Sequence, residues 1–278
     1  MSSEMNPLRR LIVNADDFGR SHSINRAVIE AHQRGILTTA SLMVNGPAAD
    51  EAVALAREHP CLGVGLHLAL SHGTSALPPS KIPDLVDSNQ NFSNDAPRAG
   101  FRYFVNKRCH PQLEREIAAQ FDRFKFTGLP LDHVNGHLHF HLHPTIFKIL
   151  REHAGPWGIN QMRLTRDPFF INARLARGRW PYRISHAIIF GILSRRAQPH
   201  LRRLKIRSPE RVFGLLQNGL VDESYIRSLL AKLPPGDSEL YSHPSLDEFK
   251  HEYDALVSPA VREIVERLGI KLIRYSDL

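Results

Sequence analysis

Leu11-Ile12-Val13 is a short apolar run that ends in the polar tip Asn14-Ala15-Asp16-Asp17-Phe18-Gly19. Behind it Ile24, Ala27, Val28 and Ala31 fall at the i, i+3, i+4, i+7 spacing of one helix face, and Gly35 closes that stretch. Short apolar runs of this kind suit strands buried on both faces, and parallel strands need a crossover long enough for a helix. The unit recurs. Residues 38–44 are expected as a second strand, 49–58 as an alanine-rich helix and 62–70 as a third strand carrying His67. Residues 71–110, rich in Pro, Ser, Asn and Gly, are expected as a long loop over the strand ends. Pro111 suits a helix start, with Leu113, Ile117, Phe121 and Phe124 on one face. A strand over 131–139, a helix opened by Pro144 and a short strand over 161–164 follow. Late in the chain come a helix near 222–232, a strand leading to His243, a helix capped by Ser258 and Pro259, and a last strand over 271–274. Repeated βα units without sheet reversal predict an α/β fold, a distorted (β/α) TIM-like barrel.

The 278 residues, 42% hydrophobic, suffice for one elaborated domain over 1–278. Its rhythm is interrupted at about 169–211, where a basic helical insertion is expected. Between Arg174 and Arg211 ten arginines and Lys205 face one acid, Glu210, a net +10 within a chain whose total is +8. Two cysteines, Cys61 and Cys109, offer neither a disulfide framework nor a thiolate metal cluster. The polar start MSSEMNPLRR lacks a secretory pattern, and no apolar stretch reaches the ~18 residues of a spanning helix. A soluble, cytoplasmic protein is expected.

Catalytic groups of such a barrel sit at the C-terminal ends of its strands. Asp16-Asp17, His67, the histidine run and His243 all fall there. Adjacent carboxylates after a buried strand suit two roles: one ligates a cation while the other, facing the opposite way, takes a proton from water. The bland alternative is a cap on the following helix. His67 alone reads as readily as a hydrogen-bonded core histidine, though Gly63 and Gly65 leave room around the strand end. Asn135-Gly136-His137-Leu138-His139-Phe140-His141-Leu142-His143 is the strongest local signal. Alternation with period two predicts His137, His139 and His141 on one side, as a borderline cation needs. Four histidines cannot all hold one ion, so the outer ones fall to supporting or substrate-contacting roles. His243 suits a general acid or an oxyanion stabiliser, and Arg163 either a surface cation or an orienter of a carboxylate.

The segment from Leu11 to Gly19 resembles the opening signature of the YdjC-like carbohydrate deacetylases. The likeness continues through Gly35-Ile36-Leu37-Thr38-Thr39-Ala40-Ser41, Gly65-Leu66-His67-Leu68, the histidine run and Tyr241-Ser242-His243-Pro244. It implies a barrel of the glycoside hydrolase and deacetylase type that removes an N-acetyl group from amino sugars with a divalent cation. By position it implies Asp17, His67 and His137 as metal ligands, Asp16 as general base and His243 as the group that stabilises or protonates the tetrahedral intermediate. Asn135, His139, His141 and Arg163 then contact substrate or support the ligands. Two imidazoles and a carboxylate accommodate zinc, magnesium or manganese; the resemblance favours magnesium and the coordination chemistry slightly favours zinc. Members acting on chito-oligosaccharides carry an acid where this chain has Asn135 and a histidine where it has Leu138. The Asn135-Gly136 pair and the insertion resemble the hopanoid biosynthesis-associated branch, which implies an N-acetylglucosaminyl hopanoid lipid as substrate.

Arginines interleaved with Trp180, Tyr182, Ile188, Ile189, Phe190, Ile192 and Leu193 suit either a helix on an anionic membrane at 174–211 or a lid on the barrel. A peripheral place at the inner membrane face and a homo-oligomer are compatible with this reading; no nucleic-acid partner is expected. The alternatives are a chito-oligosaccharide deacetylase, another hydrolase on the same metal site such as a phosphoesterase with phosphate held by the basic segment, and a basic binding protein for membrane or nucleic acid without catalysis.

Overall fold

The computed structural model describes residues 8–278. The apolar run of the first strand becomes β1 (Arg9–Phe18), buried from Leu11 onward. The crossover behind it is α1 (His22–Arg34), started by Ser21, whose hydroxyl accepts from the Ile24 N–H at 3.2 Å. β2 (Thr39–Leu42), α2 (Ala49–Glu58) and β3 (Gly63–Leu68) repeat the unit. After α3 (Ala96–Val105) and α4 (Cys109–Phe126) come β4 (Val134–Gly136) and α5 (Pro144–Glu152). The chain continues through α6 (Phe169–Leu175), α7 (Trp180–Arg203), β5 (Arg211–Phe213), α8 (Glu223–Ala231) and β6 (Gly236–Ser242). It ends with α9 (Lys250–Val257), α10 (Pro259–Arg267) and β7 (Lys271–Leu272).

The strands form one sheet in the order β4-β3-β2-β1-β6-β5, every pair parallel, with β7 beside the start of β1. The sheet curls into a half-barrel, roughly the TIM-like expectation. Irregular chain spans its two edges: Arg163 N–H donates to the Val134 carbonyl at 3.1 Å, and Val212 N–H to that of Arg166 at 3.2 Å. The expected strand over 161–164 is thus reduced to isolated bridges to Met162 and Gln161.

Alternation sorts the side chains. Leu11, Val13, Ala15, Ala40, Leu42, Val64, Leu66, Val134 and Leu240 join the main apolar core between sheet and helices, where a fully buried Val or Leu contributes roughly 1.5–3 kcal/mol. The intervening positions interlock by hydrogen bonds instead: Thr39 and Ser41 with Asn14, Ser41 with His133, Asn135 with Asp16. Inside the curl the protein is polar around Asn14 and Asp16, with a small apolar cluster of Ile12, Ile273 and Tyr275 beside them. Gly63 and Gly65 do not open space at the site as expected; a Cβ there would meet the Asp132 carboxyl at 2.8 Å and the His133 ring at 2.5 Å. These glycines admit interior packing.

The expected loop over 71–110 holds a helix. Asp95 caps α3, Pro97 sits in its first turn, and Ala99 and Tyr103 are buried. Composition hid it, because its apolar face is only two buried residues wide. The remaining loop is fastened by Glu116, which accepts from the Ala76 and Leu77 N–H groups at 2.7 and 3.0 Å. Within 169–211 the chain forms α6 and α7, separated by non-helical residues 176–179, while β5 belongs to the sheet.

Candidate metal centre

β1 ends in an irregularity. Its register with β2 shifts between Ala15 and Phe18, and Asp17 adopts a φ of 66°. A left-handed residue in a strand interrupts alternation, and aspartate tolerates that region better than most. Asp16 and Asp17 therefore line the same pocket, of about 320 Å³, with His67, His137, His139 and His243. The expectation that the two carboxylates face opposite ways is corrected by this bulge.

His67 is the penultimate residue of β3, and its Nδ1 lies 2.7 Å from the Asn135 amide oxygen. That oxygen only accepts, because the same amide donates to Ser41 at 2.8 Å and to Asp16 at 3.2 Å. His67 therefore carries its proton on Nδ1 and turns Nε2 toward Asp17 Oδ1, 3.3 Å away. A lone pair facing a carboxylate is repulsive unless a second proton or a cation lies between them. His137 Nδ1 lies 2.9 Å from the same Asp17 oxygen. One ligand atom each from Asp17, His67 and His137 falls within 4.8 Å of the others, all three residues being buried. The donor set, two imidazoles and one carboxylate, fits a divalent cation. Burial pushes the Asp17 carboxyl up, but His137 and His67 outweigh it and hold it well below the usual range. His67 is raised: burial opposes its charge, and Asp16 and Asp17 overcome that.

Asp16 is clamped. Arg163, fully buried, donates to its two oxygens at 2.7 and 3.0 Å, and Asn14 donates at 2.8 Å. Burial alone would raise its carboxyl; Arg163 and His67 drive it far below the usual range. Arg163 also donates to Glu239 Oε1 at 2.9 and 2.6 Å and lies over the Tyr241 ring at 4.4 Å. Tyr275, from the C-terminal segment, donates to the other Glu239 oxygen.

The histidine run is not a strand. After Gly136 the chain forms 3-10 turns over His137–Leu142, with φ of 50° at Leu138 and 60° at His139. Two left-handed residues scatter the imidazoles that period-two alternation would have aligned. His137 reaches the metal cluster. His139 lines the pocket, its Nε2 3.0 Å from the Tyr241 hydroxyl. Burial and Arg163 keep His139 neutral. His141 lies behind, its Nε2 3.1 Å from the Arg163 carbonyl, and burial lowers it to about 3. His143 meets the Gly100 carbonyl, away from the cluster. His243 follows β6; its N–H donates to buried Glu252 at 2.6 Å, and its Nδ1 is 4.0 Å from that carboxylate.

Several site residues were not singled out from sequence. Asn14 shares the inward face of β1 with Asp16, two residues on, a period-two signal in plain view. Arg20, three residues past Asp17, donates to its Oδ2 at 2.8 Å. His186 lines the pocket as well, four residues from each of Tyr182 and Phe190, which the sequence suggests only for a membrane helix or lid. No arginine of 174–211 does so among the described residues, which removes the support for phosphate held there.

A family model described as YdjC-like protein matches residues 10–267. Two curated proteins named carbohydrate deacetylase are similar: that of Brevibacillus brevis is 44% identical over 51% of this chain and 54% of its own length, that of Geobacillus stearothermophilus 42% identical over 52% and 56%. In those matches the chain spans about half the length of its relatives. A chitooligosaccharide deacetylase of Serratia marcescens is 29% identical over 96% of this chain and 98% of its own. A solved structure from Enterococcus faecalis V583, named for cellobiose-phosphate cleavage, shares the fold with a TM-score of 0.75 at 24% identity, over 97% and 98% of the two chains.

Proposed function

The chain belongs to the YdjC-like family, and from that premise we propose that it is a metal-dependent hydrolase removing an N-acetyl group from an amino sugar. The observation that carries this is the Asp17–His67–His137 cluster beside a carboxylate, Asp16, held ionised by Arg163. A divalent cation bound there would supply Lewis acidity to the acetamide carbonyl and acidify water. Magnesium is favoured by family resemblance and zinc by the two imidazoles.

The remaining chemistry falls to side chains. Asp16 accepts the proton of the attacking water, and its orientation is fixed by Arg163 and Asn14. Addition of water to the carbonyl and rupture of the C–N bond release acetate and a free amine. His243, on the pocket wall, stabilises the tetrahedral intermediate or hands a proton to that amine. Neutral His139, beside its partner Tyr241, shapes the substrate side, Asn135 orients His67 from behind, and His141 supports the Arg163 main chain.

For substrate we favour an N-acetylglucosaminyl hopanoid lipid over a free chito-oligosaccharide, on Asn135 and Leu138 and on the apolar Tyr182 and Phe190 in the pocket wall. A single domain over 1–278, with residues 169–211 as an elaboration, would work in the cytoplasm at the inner membrane face, alone or as a homo-oligomer. Residues 174–211 would meet the anionic surface. The test is a screen for acetate release across N-acetylated sugars and glycolipids, with chelated and metal-supplemented protein. Acetate from a glucosaminyl lipid, and no phosphate from phosphoesters, is expected. Phosphate release without acetate would sink the reading.

A further inference from the structure

The helix α7 presents two apolar sides. Tyr182, His186 and Phe190 line the catalytic pocket. The other side carries Ile184, Ile188 and Ile192, exposed by 46%, 57% and 46%. Ile184, Ile188 and Ile192, with Phe169 and Arg195, line a groove of about 520 Å³ on this outer side. A solvated helix face normally carries charged residues at these positions; an isoleucine at every turn marks a surface that meets something apolar.

The surrounding charge says what. Arg174, Arg177 and Arg179 before the helix, and Arg195, Arg196, Arg202 and Arg203 in its second half, are exposed, and residues 168–209 contain no Asp or Glu. A second copy packed across a two-fold axis would set these arginines against one another. A nucleic acid would match the arginines but gain little from the isoleucines. An anionic bilayer satisfies both, with phosphates for the guanidinium groups and acyl chains for the branched side chains.

We propose that the outer face of α7 docks on an anionic lipid bilayer. The pocket wall and the docking face are opposite sides of one helix, roughly 10 Å thick. Docking therefore holds the catalytic pocket at the membrane surface, where a lipid-linked sugar is presented. That link to catalysis rests on the deacetylase reading; the docking itself does not.

The experiment is co-sedimentation of the full chain with vesicles of phosphatidylcholine alone or mixed with phosphatidylglycerol, at low and high salt. Binding to the anionic vesicles, weakened at high salt, is expected. The variant Ile184→Ser/Ile188→Ser/Ile192→Ser should bind at least about tenfold less, and Arg195→Gln/Arg196→Gln should lower binding and flatten its salt dependence. Cooperative thermal unfolding at the parent temperature establishes that each variant is folded, whatever the enzyme's substrate. Any of three results overturns the proposal: equal binding by parent and isoleucine variant, a dimer abolished by the isoleucine substitutions without vesicle binding, or retention of an oligonucleotide without retention of vesicles.

Discussion

Replacing Arg163 by methionine removes one cation from between two buried carboxylates. Asp16 and Glu239 are 2% and 0% exposed, and Arg163 donates two hydrogen bonds to each. Methionine keeps much of the volume and leaves both acids without their counter-charge. Removing one partner of a buried pair typically costs about 3–5 kcal/mol. We expect a loss in that range at pH 8, read by urea unfolding. In the parent, Asp16 has a depressed pKa, so its stabilisation is present above the ordinary carboxylate range and is lost only as pH falls through the lower folded value. Without Arg163 burial is opposed only by His67 and His243, and the carboxyl shifts upward. The variant should therefore lose less relative to the parent at pH 5 than at pH 8. Hydrolysis should collapse at neutral pH, because Asp16 is no longer an oriented, ionised base. Arg163→Lys should recover charge but not the fork that spans both acids, and so regain only part of either quantity. A Met variant within about 1 kcal/mol of the parent, with no pH dependence in the difference, would refute the reasoning.

Tyr275→Phe removes the hydroxyl donated to Glu239; a loss of about 1–3 kcal/mol in urea unfolding is expected, with kcat falling more than KM rises. Asp167 is pushed up to about 7 by burial, although Asn172 and the Leu216 N–H bond it. Its folded pKa is raised, so stability is greatest below the unfolded value near 4 and declines as pH rises to about 7, by on the order of 4 kcal/mol at most. Asp167→Asn should flatten that slope in a pH series of thermal melts. At Gly214, φ is 119° and a Cβ would lie 2.4 Å from the Tyr241 carbonyl oxygen. Gly214→Ala should destabilise by about 1–3 kcal/mol, and an unchanged melting temperature would contradict the geometry.

Much of the fold was legible because parallel strands and their helices announce themselves locally. Leu11-Ile12-Val13 and the Ser258-Pro259 start each appear where the sequence puts them. The site was legible as far as strand ends reach: Asp16, Asp17, His67 and His243 line one pocket together with His137. What was hidden lies in the backbone or in distant pairings. The left-handed turns at Leu138 and His139 carry no glycine to signal them, so the histidines look like a strand. Arg163 looks like surface until Asp16, 147 residues away, is found against it. The polar interior was visible in retrospect, because Asn14, Asp16, Thr39 and Ser41 alternate with apolar neighbours.

The central claim is that Asp17 holds the cation and Asp16 handles the proton. It is tested most directly by comparing Asp16→Asn and Asp17→Asn in one titration, with bound divalent cation per chain and released acetate read together. We predict one cation per parent chain, retained in Asp16→Asn with acetate release lost, and both lost in Asp17→Asn. Acetate release that survives in either variant, or cation binding indifferent to Asp17, would contradict the account.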